Sequence, residues 1–352
     1  MVVTVESRSS AEVAALTATG EPGVDEAELE STRRAGGDGW QRRVLARYGL
    51  LGALVLICVI FGAIKPGSFL SVANLKSTAT IAAPLLVLSV GLTVPLSMGE
   101  FDLSIANDAQ LSGAVVVSLM STFAIPWLPS IVVTLVGALA VGALIGFVVV
   151  RSKVNAFIVT LGIGTVMAGI EFGITHGATI YSGIPQVYTD LGSGDVGGVP
   201  ESAIIAVVFT IMVWLLMERT VAGRRMRAIG GNTEAARLSG VRVGILRGSG
   251  FMWTALAAAI AGILLTAQAS SYYPDAAVSQ LLPAYAACFL GTTVFRQNLF
   301  EVEGTFVGVA FLAVIQDGLI MVGVAAWVAQ VVQGALLVLA VVASKVASRN
   351  AG

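Results

Sequence analysis

The chain has 352 residues, of which 56% are hydrophobic and only 12% charged, with a mean hydropathy of +0.89. An ordinary soluble domain is about 25% charged, so this is the composition of a membrane protein rather than of a water-soluble enzyme. A formal net charge of −1 with no basic domain argues against a nucleic-acid binder.

The first forty residues hold eight acids among small polar residues and no apolar run of signal-peptide length, so residues 1–42 are expected to be a disordered tail. Crossing a bilayer takes about twenty apolar residues. Ten runs of that kind are predicted, at 48–64, 77–98, 103–123, 131–150, 156–175, 202–217, 248–269, 281–294, 305–322 and 326–343. The run 281–294 is short, and treating it as re-entrant would leave nine spans. Pro84 and Pro95 fall inside the second run, where neighbouring helices can cover the freed carbonyls. Forty glycines beside ten prolines suit helices packed closely through small residues.

Cytoplasmic loops collect Lys and Arg. With ten spans and both termini inside, eighteen of the twenty Lys and Arg fall on the inner side, leaving Lys65 and Lys76 outside. The stretch 176–200 has neither residue type, as an external loop should. The resulting expectation is an all-α polytopic bundle with a transmembrane domain at 43–346 and cytoplasmic tails at 1–42 and 347–352.

Polar residues at membrane depth are costly and usually face a cavity or another helix. The richest group is Glu100, Asp102, Ser104, Asn107, Asp108 and Gln110, in which Ser104, Asn107 and Asp108 share a helical face. Asp102 is expected to cap the third span at its inner end. For Asn107 and Gln110 a path-lining and an interhelical role stand equal. Asn155 and Glu171 lie on or beside the fifth span, where Glu171 is expected to be solvated near the outer end. Asp317, inside the ninth run, points to the path or to an interhelical bond. Phe101 and Phe157 could stack on a sugar ring, although packing is the commoner role of lone aromatics. Candidate path residues are therefore Phe101, Asn107, Gln110, Asn155, Phe157 and Asp317.

Cys58 and Cys288 fall in apolar runs and read as small buried hydrophobes, and His176 is the single histidine, so neither a metal site nor a cofactor is expected. A phosphate-binding loop needs a lysine after glycine. The four lysines, Lys65, Lys76, Lys153 and Lys345, all lack that glycine, so any ATP hydrolysis belongs to a partner.

The largest polar interruption, 218–247, carries seven arginines. Its second half reads as a short helix, with Asn232 or Thr233 as cap, Glu234 in the first turn, Ala235, Ala236 and Leu238 within it, and Gly240 as the left-handed terminator. From composition alone, an ordinary positive loop and a surface gripped by another protein are equally good readings.

Gly223, Arg224, Gly230, Gly231, Asn232, Ala235, Ala236 and Gly240 resemble the cytoplasmic coupling loop of ribose- and xylose-type sugar ABC permeases. Residues 99–104, Gly-Glu-Phe-Asp-Leu-Ser, resemble that family's Gly-Gly-Ile-Asp-Leu-Ser motif, with Glu100 and Phe101 as departures. Residues 155–162 resemble its Phe-Ile-Val-Thr-Leu-Gly segment. Gly291, Thr292, Thr293, Gly304, Thr305, Asp317, Gly318 and Leu319 are similar to its C-terminal motifs. Branched-chain amino-acid permeases share the Asp-Leu-Ser motif but match the loop less well. The resemblance implies a multi-pass permease subunit in a bacterial plasma membrane, pairing with a second copy in the lipid bilayer. It also implies a periplasmic or lipid-anchored sugar-binding protein, and an ABC ATPase subunit engaged through the loop that includes Glu234. Two other classes compete: an ion-coupled secondary transporter using the membrane carboxylates, and a membrane-embedded enzyme, for which the required nucleophile or acid cluster is missing.

Overall fold

The computed structural model describes residues 49–295, 299–325, 327–332, 334–336 and 338, all within one compact unit. The expected tails 1–42 and 347–352, and Arg296, Lys345 and Arg349, lie outside the described residues. Helix α1 is Gly49–Ile64. Ser71 then accepts a hydrogen bond from the Asn74 amide at 3.2 Å and starts α2, Val72–Leu96. Helices α3 (Ile105–Ser121), α4 (Trp127–Ser152) and α5 (Ala156–Thr175) follow, then the short α6 (Gln186–Ser193) and a hairpin of β1 (Asp195–Val196) with β2 (Val199–Pro200). Helix α7, Glu201–Trp214, runs on through a π turn to Arg219. Helices α8 (Val221–Gly231) and α9 (Thr233–Leu238) lead into the 27-residue α10, Val243–Ala269. A 3₁₀ turn at Val278–Gln280 precedes α11, Leu281–Gly291, and α12 is Val302–Val322.

Among the described residues, six helices are long and apolar enough to cross a membrane: α2, α4, α5, α7 with its π turn, α10 and α12. Helix α1 and the stretch Val278–Gly291 are apolar but shorter. The predicted run 103–123 becomes a helix only from Ile105, and within 326–343 the described residues 327–332 and 334–336 are helical.

Helix α10 occupies the centre. It runs antiparallel to α2, with Gly91 against Ala257 and Gly250 against Pro95, and parallel to α3, with Gly262 against Ala109 and Gly113 against Thr266. These contacts depend on missing side chains: a Cβ on Gly262 would sit 2.2 Å from the Ala109 carbonyl oxygen. Where no hydrophobic force distinguishes a lipid tail from a neighbouring helix, such close backbone approach supplies the packing energy. Hydroxyls within α2 are turned inward upon the helix itself. Ser89 donates to the Leu85 carbonyl at 2.7 Å and Thr93 to that of Ser89 at 2.9 Å, so polar residues cross the core without needing water.

The connections repeat one plan in opposite directions. The chain leaves α2, runs through the non-helical residues 100–104 and enters α3; later it leaves α10, winds through 270–280 and enters α11. Thr254, beside which residue 102 sits, is eleven residues into α10, about 17 Å along the helix at 1.5 Å per residue. Helix α3 therefore begins inside the bundle instead of at its end, and the 270–280 stretch returns to that interior, where the Ala277 amide meets Gln110 of α3, before α11 starts. At the end remote from the arginines, Lys76 ties the hairpin down through Asp195 at 2.7 Å, and this contact holds the Asp195 carboxyl below the usual carboxylate range.

The packing of α3 on α10 can be tested with two alanines. Gly262→Ala should lower stability by about 1–3 kcal/mol through overpacking. Gly137→Ala, where nothing lies within 4 Å of the added Cβ, should be neutral or raise it by up to about 1 kcal/mol. Thermal melting of the detergent-purified protein reads both.

Candidate functional site

Two polar constellations lie within the bundle, a third lines a cleft at its side and a fourth lies at its arginine-rich end. The first is the non-helical segment 100–104. Gly99 takes φ +79°, a left-handed turn that suits glycine, and redirects the chain from α2 up along α10. Glu100 pairs with Arg247 at 2.5 Å. Asp102, 1% exposed, accepts from the Thr254 hydroxyl at 2.6 Å and from the Ser104 amide at 3.0 Å. Tyr285 donates to the Asp102 carbonyl at 2.9 Å, and Thr160 accepts from the Leu103 amide at 3.1 Å. Phe101 stacks on Tyr285 with centroids 6.2 Å apart and remains 39% exposed. The expectation that Asp102 caps α3 at the inner end is corrected: Ser104 occupies the cap position, and Asp102 is a deep bridge between the segment and α10. Its carboxylate spans two elements because the segment climbs α10 before helix resumes. Asn107, half-buried, packs against Gly164 of α5, and Asp108 is buried with Ser112 beside it.

The second constellation braces the stretch 270–280. Gln110 donates to the Tyr272 hydroxyl at 2.7 Å and to the Tyr273 carbonyl at 3.0 Å, and accepts from the Ala277 amide at 2.9 Å. Tyr272 in turn donates to Glu171, which also accepts from Thr175 at 3.0 Å. Glu171 is thus buried and bonded, correcting the expectation of a solvated residue; the tyrosine that covers it comes from 101 positions away. Gln110, 4% exposed with its amide fully engaged, has the geometry of an interhelical brace.

The third is a cleft of about 60 Å³ between α2, the 3₁₀ turn and α12, large enough for several ordered waters. Thr78, Gln280, Gln316 and Asp317 supply its polar lining, with Ile81 and Leu85 among the apolar residues. Asn74 donates to Asp317 at 2.6 Å and orients the carboxylate. This groups donors and acceptors with no cation, a lining suited to a neutral hydroxyl-rich solute. Asn155 and Phe157 are elsewhere: Asn155 caps α5 by accepting from the Phe157 amide at 2.9 Å, and both are exposed. The six candidate path residues therefore divide among four places.

The fourth constellation is the loop 218–247. Helix α8 is seated on the bundle, for a Cβ on Gly230 would lie 2.0 Å from the Ser97 carbonyl oxygen and one on Gly223 2.3 Å from that of Met217. Arg227 clamps the same junction through Glu218 and the Met217 carbonyl. Arg224 and Gly231 face outward. Asn232 caps α9 by accepting from the Ala235 amide at 2.9 Å, Glu234 pairs with Arg237, and Gly240 at φ +79° ends the turn. Ala235 is exposed, but Ala236 is buried against the bundle, so the outward face of α9 is carried by Ala235 and by Leu238, 83% exposed. Leu238, Gln280, Arg247, Thr254, Tyr272 and Tyr285 were missed as site residues. Only Leu238 had a signal, its place opposite Ala236 on a short helix.

Removing one hydroxyl tests the second constellation. Tyr272→Phe leaves buried Gln110 and Glu171 short of a partner and should cost about 1–3 kcal/mol, read as an earlier melt together with faster proteolysis of the 270–280 stretch. Similarity to known proteins agrees with the motifs. Residues 74–341 match the family described as branched-chain amino acid transport system / permease component. The ribose import permease protein RbsC of Haemophilus influenzae is 30% identical over 295 residues, covering 83% of this chain and 90% of the relative. Its Escherichia coli K12 counterpart is 29% identical over 301 residues, covering 85% and 93%. The xylose transport system permease protein XylH of the same strain is 29% identical, covering 90% and 96%. No solved structure matches the chain. With a match across most of its length and a bundle of membrane-length helices, the chain belongs to the branched-chain amino acid transport system permease family.

Proposed function

We propose that this chain is the membrane permease subunit of an ABC importer, forming the path for a sugar or related polyol handed over by an external binding protein. The names of its relatives, ribose and xylose permeases, support the solute class. The observation that carries the division of labour is α9: a capped helix, seated on the bundle by Ala236, with the apolar side chain of Leu238 exposed, in a sequence with no phosphate-binding loop. An ATPase subunit is the partner that such a surface and such a deficit both call for. The loop residues Gly223, Arg224, Gly230, Gly231, Asn232, Glu234, Ala235, Ala236 and Gly240 divide between seating it and presenting it.

The path is assigned to the cleft at Gln280, Gln316 and Asp317 and, further in, to the exposed ring of Phe101 with Asn107. Short helices that begin at mid-depth are where transporters gather polar groups around a solute. Because the cleft lies between elements at the surface of one copy, a second permease subunit facing it completes the reading. Ten spans with both termini cytoplasmic remain the topology that best places the arginines, in a bacterial inner membrane.

Leu238→Asp should abolish co-purification of the ATPase and reduce ATP-driven uptake by at least about tenfold, a loss of one apolar anchor and its desolvated pocket. Membrane insertion and melting temperature should be unchanged. Normal recovery of the ATPase with this variant would defeat the coupling assignment, and uptake that follows an ion gradient without any ATPase would favour a secondary transporter.

A further inference from the structure

Glu100 is one of the two departures from the motif that residues 99–104 resemble, and in the structure it has a specific partner. Its carboxylate meets the Arg247 guanidinium at 2.5 Å, with the two side chains 12% and 27% exposed. Arg247 stands in the second turn of α10, directly after the connector from α9. That connector is short and internally bonded: the Gly240 amide donates to the Arg237 carbonyl at 3.0 Å and the Val241 amide to that of Ala236 at 3.1 Å. These bonds tie Gly240 and Val241 to α9, so only Arg242 separates that bonded unit from the start of α10.

The segment 100–104 grips α10 twice, at Arg247 through Glu100 and at Thr254 through Asp102. Seven residues separate those two positions, two turns on one helical face. From the same segment, the Asp102 carbonyl and the Phe101 ring both engage Tyr285 of α11. One ion pair therefore lies between the surface helix and the short helix that lines the interior. The Nε of Arg247 is buried and has no acceptor in this arrangement, so Glu100 is the carboxylate that holds the guanidinium.

We infer that the Glu100–Arg247 pair is the positioning contact through which movement of α9 reaches residues 100–104 and, by Tyr285, α11. This rests on the reading of the chain as an ABC permease. Close packing of glycines against α2, α3 and α4 holds α10 along its length, so its place in the bundle does not rest on this contact alone.

The test uses the full complex with its ATPase subunit, in a Cys58→Ala, Cys288→Ser background carrying Ser279→Cys, an exposed position just ahead of α11, as a reporter. Maleimide labelling of the reporter is followed with and without ATP and vanadate. The parent should show a nucleotide-dependent rate. In Glu100→Gln that dependence should fall about tenfold, the equivalent of one charge-assisted hydrogen bond, with ATPase binding and melting temperature retained. The exchange Glu100→Arg/Arg247→Glu should restore it, and Arg247→Lys should keep most of it. Full nucleotide dependence in Glu100→Gln, or an exchange variant that melts normally and stays unresponsive, would overturn the inference alone. A parent complex that binds no ATPase, or labels identically in every nucleotide state, would remove the permease reading and this contact with it.

Discussion

Backbone inside a membrane protein must find hydrogen-bond partners without water, and away from helices it can do so only where side chains are brought to it. Residues 100–104 meet that condition. The Leu103 amide uses Thr160 of α5, the Asp102 carbonyl uses Tyr285 of α11, the Ser104 amide uses the Asp102 carboxylate, and that carboxylate is itself held by Thr254 of α10. Three helices distant in sequence thus converge because a few non-helical residues require them. The depth at which α3 begins, the exposure of Phe101 and the contact between Glu100 and Arg247 all follow from this satisfied stretch of irregular chain.

Around it, rigidity is supplied by proximity more than by apolar contrast. Gly91, Gly113, Gly142, Gly146 and Gly262 bring α2, α3 and α4 against α10 at backbone distance. The half remote from the arginines is closed by a different device, the chain of polar groups from Gln110 through Tyr272 to Glu171. One is indifferent to charge and direction, while the other is directional and costly to break. The permease thus combines a closely packed centre with braces at the places where its two short helices start.

Local features were legible in the residues. The cap at Asn232, the terminator at Gly240 and the long apolar helices follow from short-range chemistry, and the structure has the same cap and turn. Depth and burial were not legible. Asp102 looked like a helix cap because its spacing to α3 allows it, but its position depends on how far the chain climbs α10. Glu171 looked solvated because its cover, Tyr272, arrives from another part of the chain. The side of α9 that faces the bundle is set by where α8 is seated, so Ala235 and Ala236 could not be told apart beforehand, and Leu238 was passed over.

Helix α11 has eleven residues, about 17 Å of helix against a hydrocarbon layer of about 30 Å. A segment of that length is too short to partition into lipid on its own hydrophobicity. It is packed along α12, where Gly291 meets Gly304 and Gly308 meets Ala287. Held to α12 by these contacts, α11 keeps its depth as the shorter arm of a hairpin whose longer arm is of membrane length.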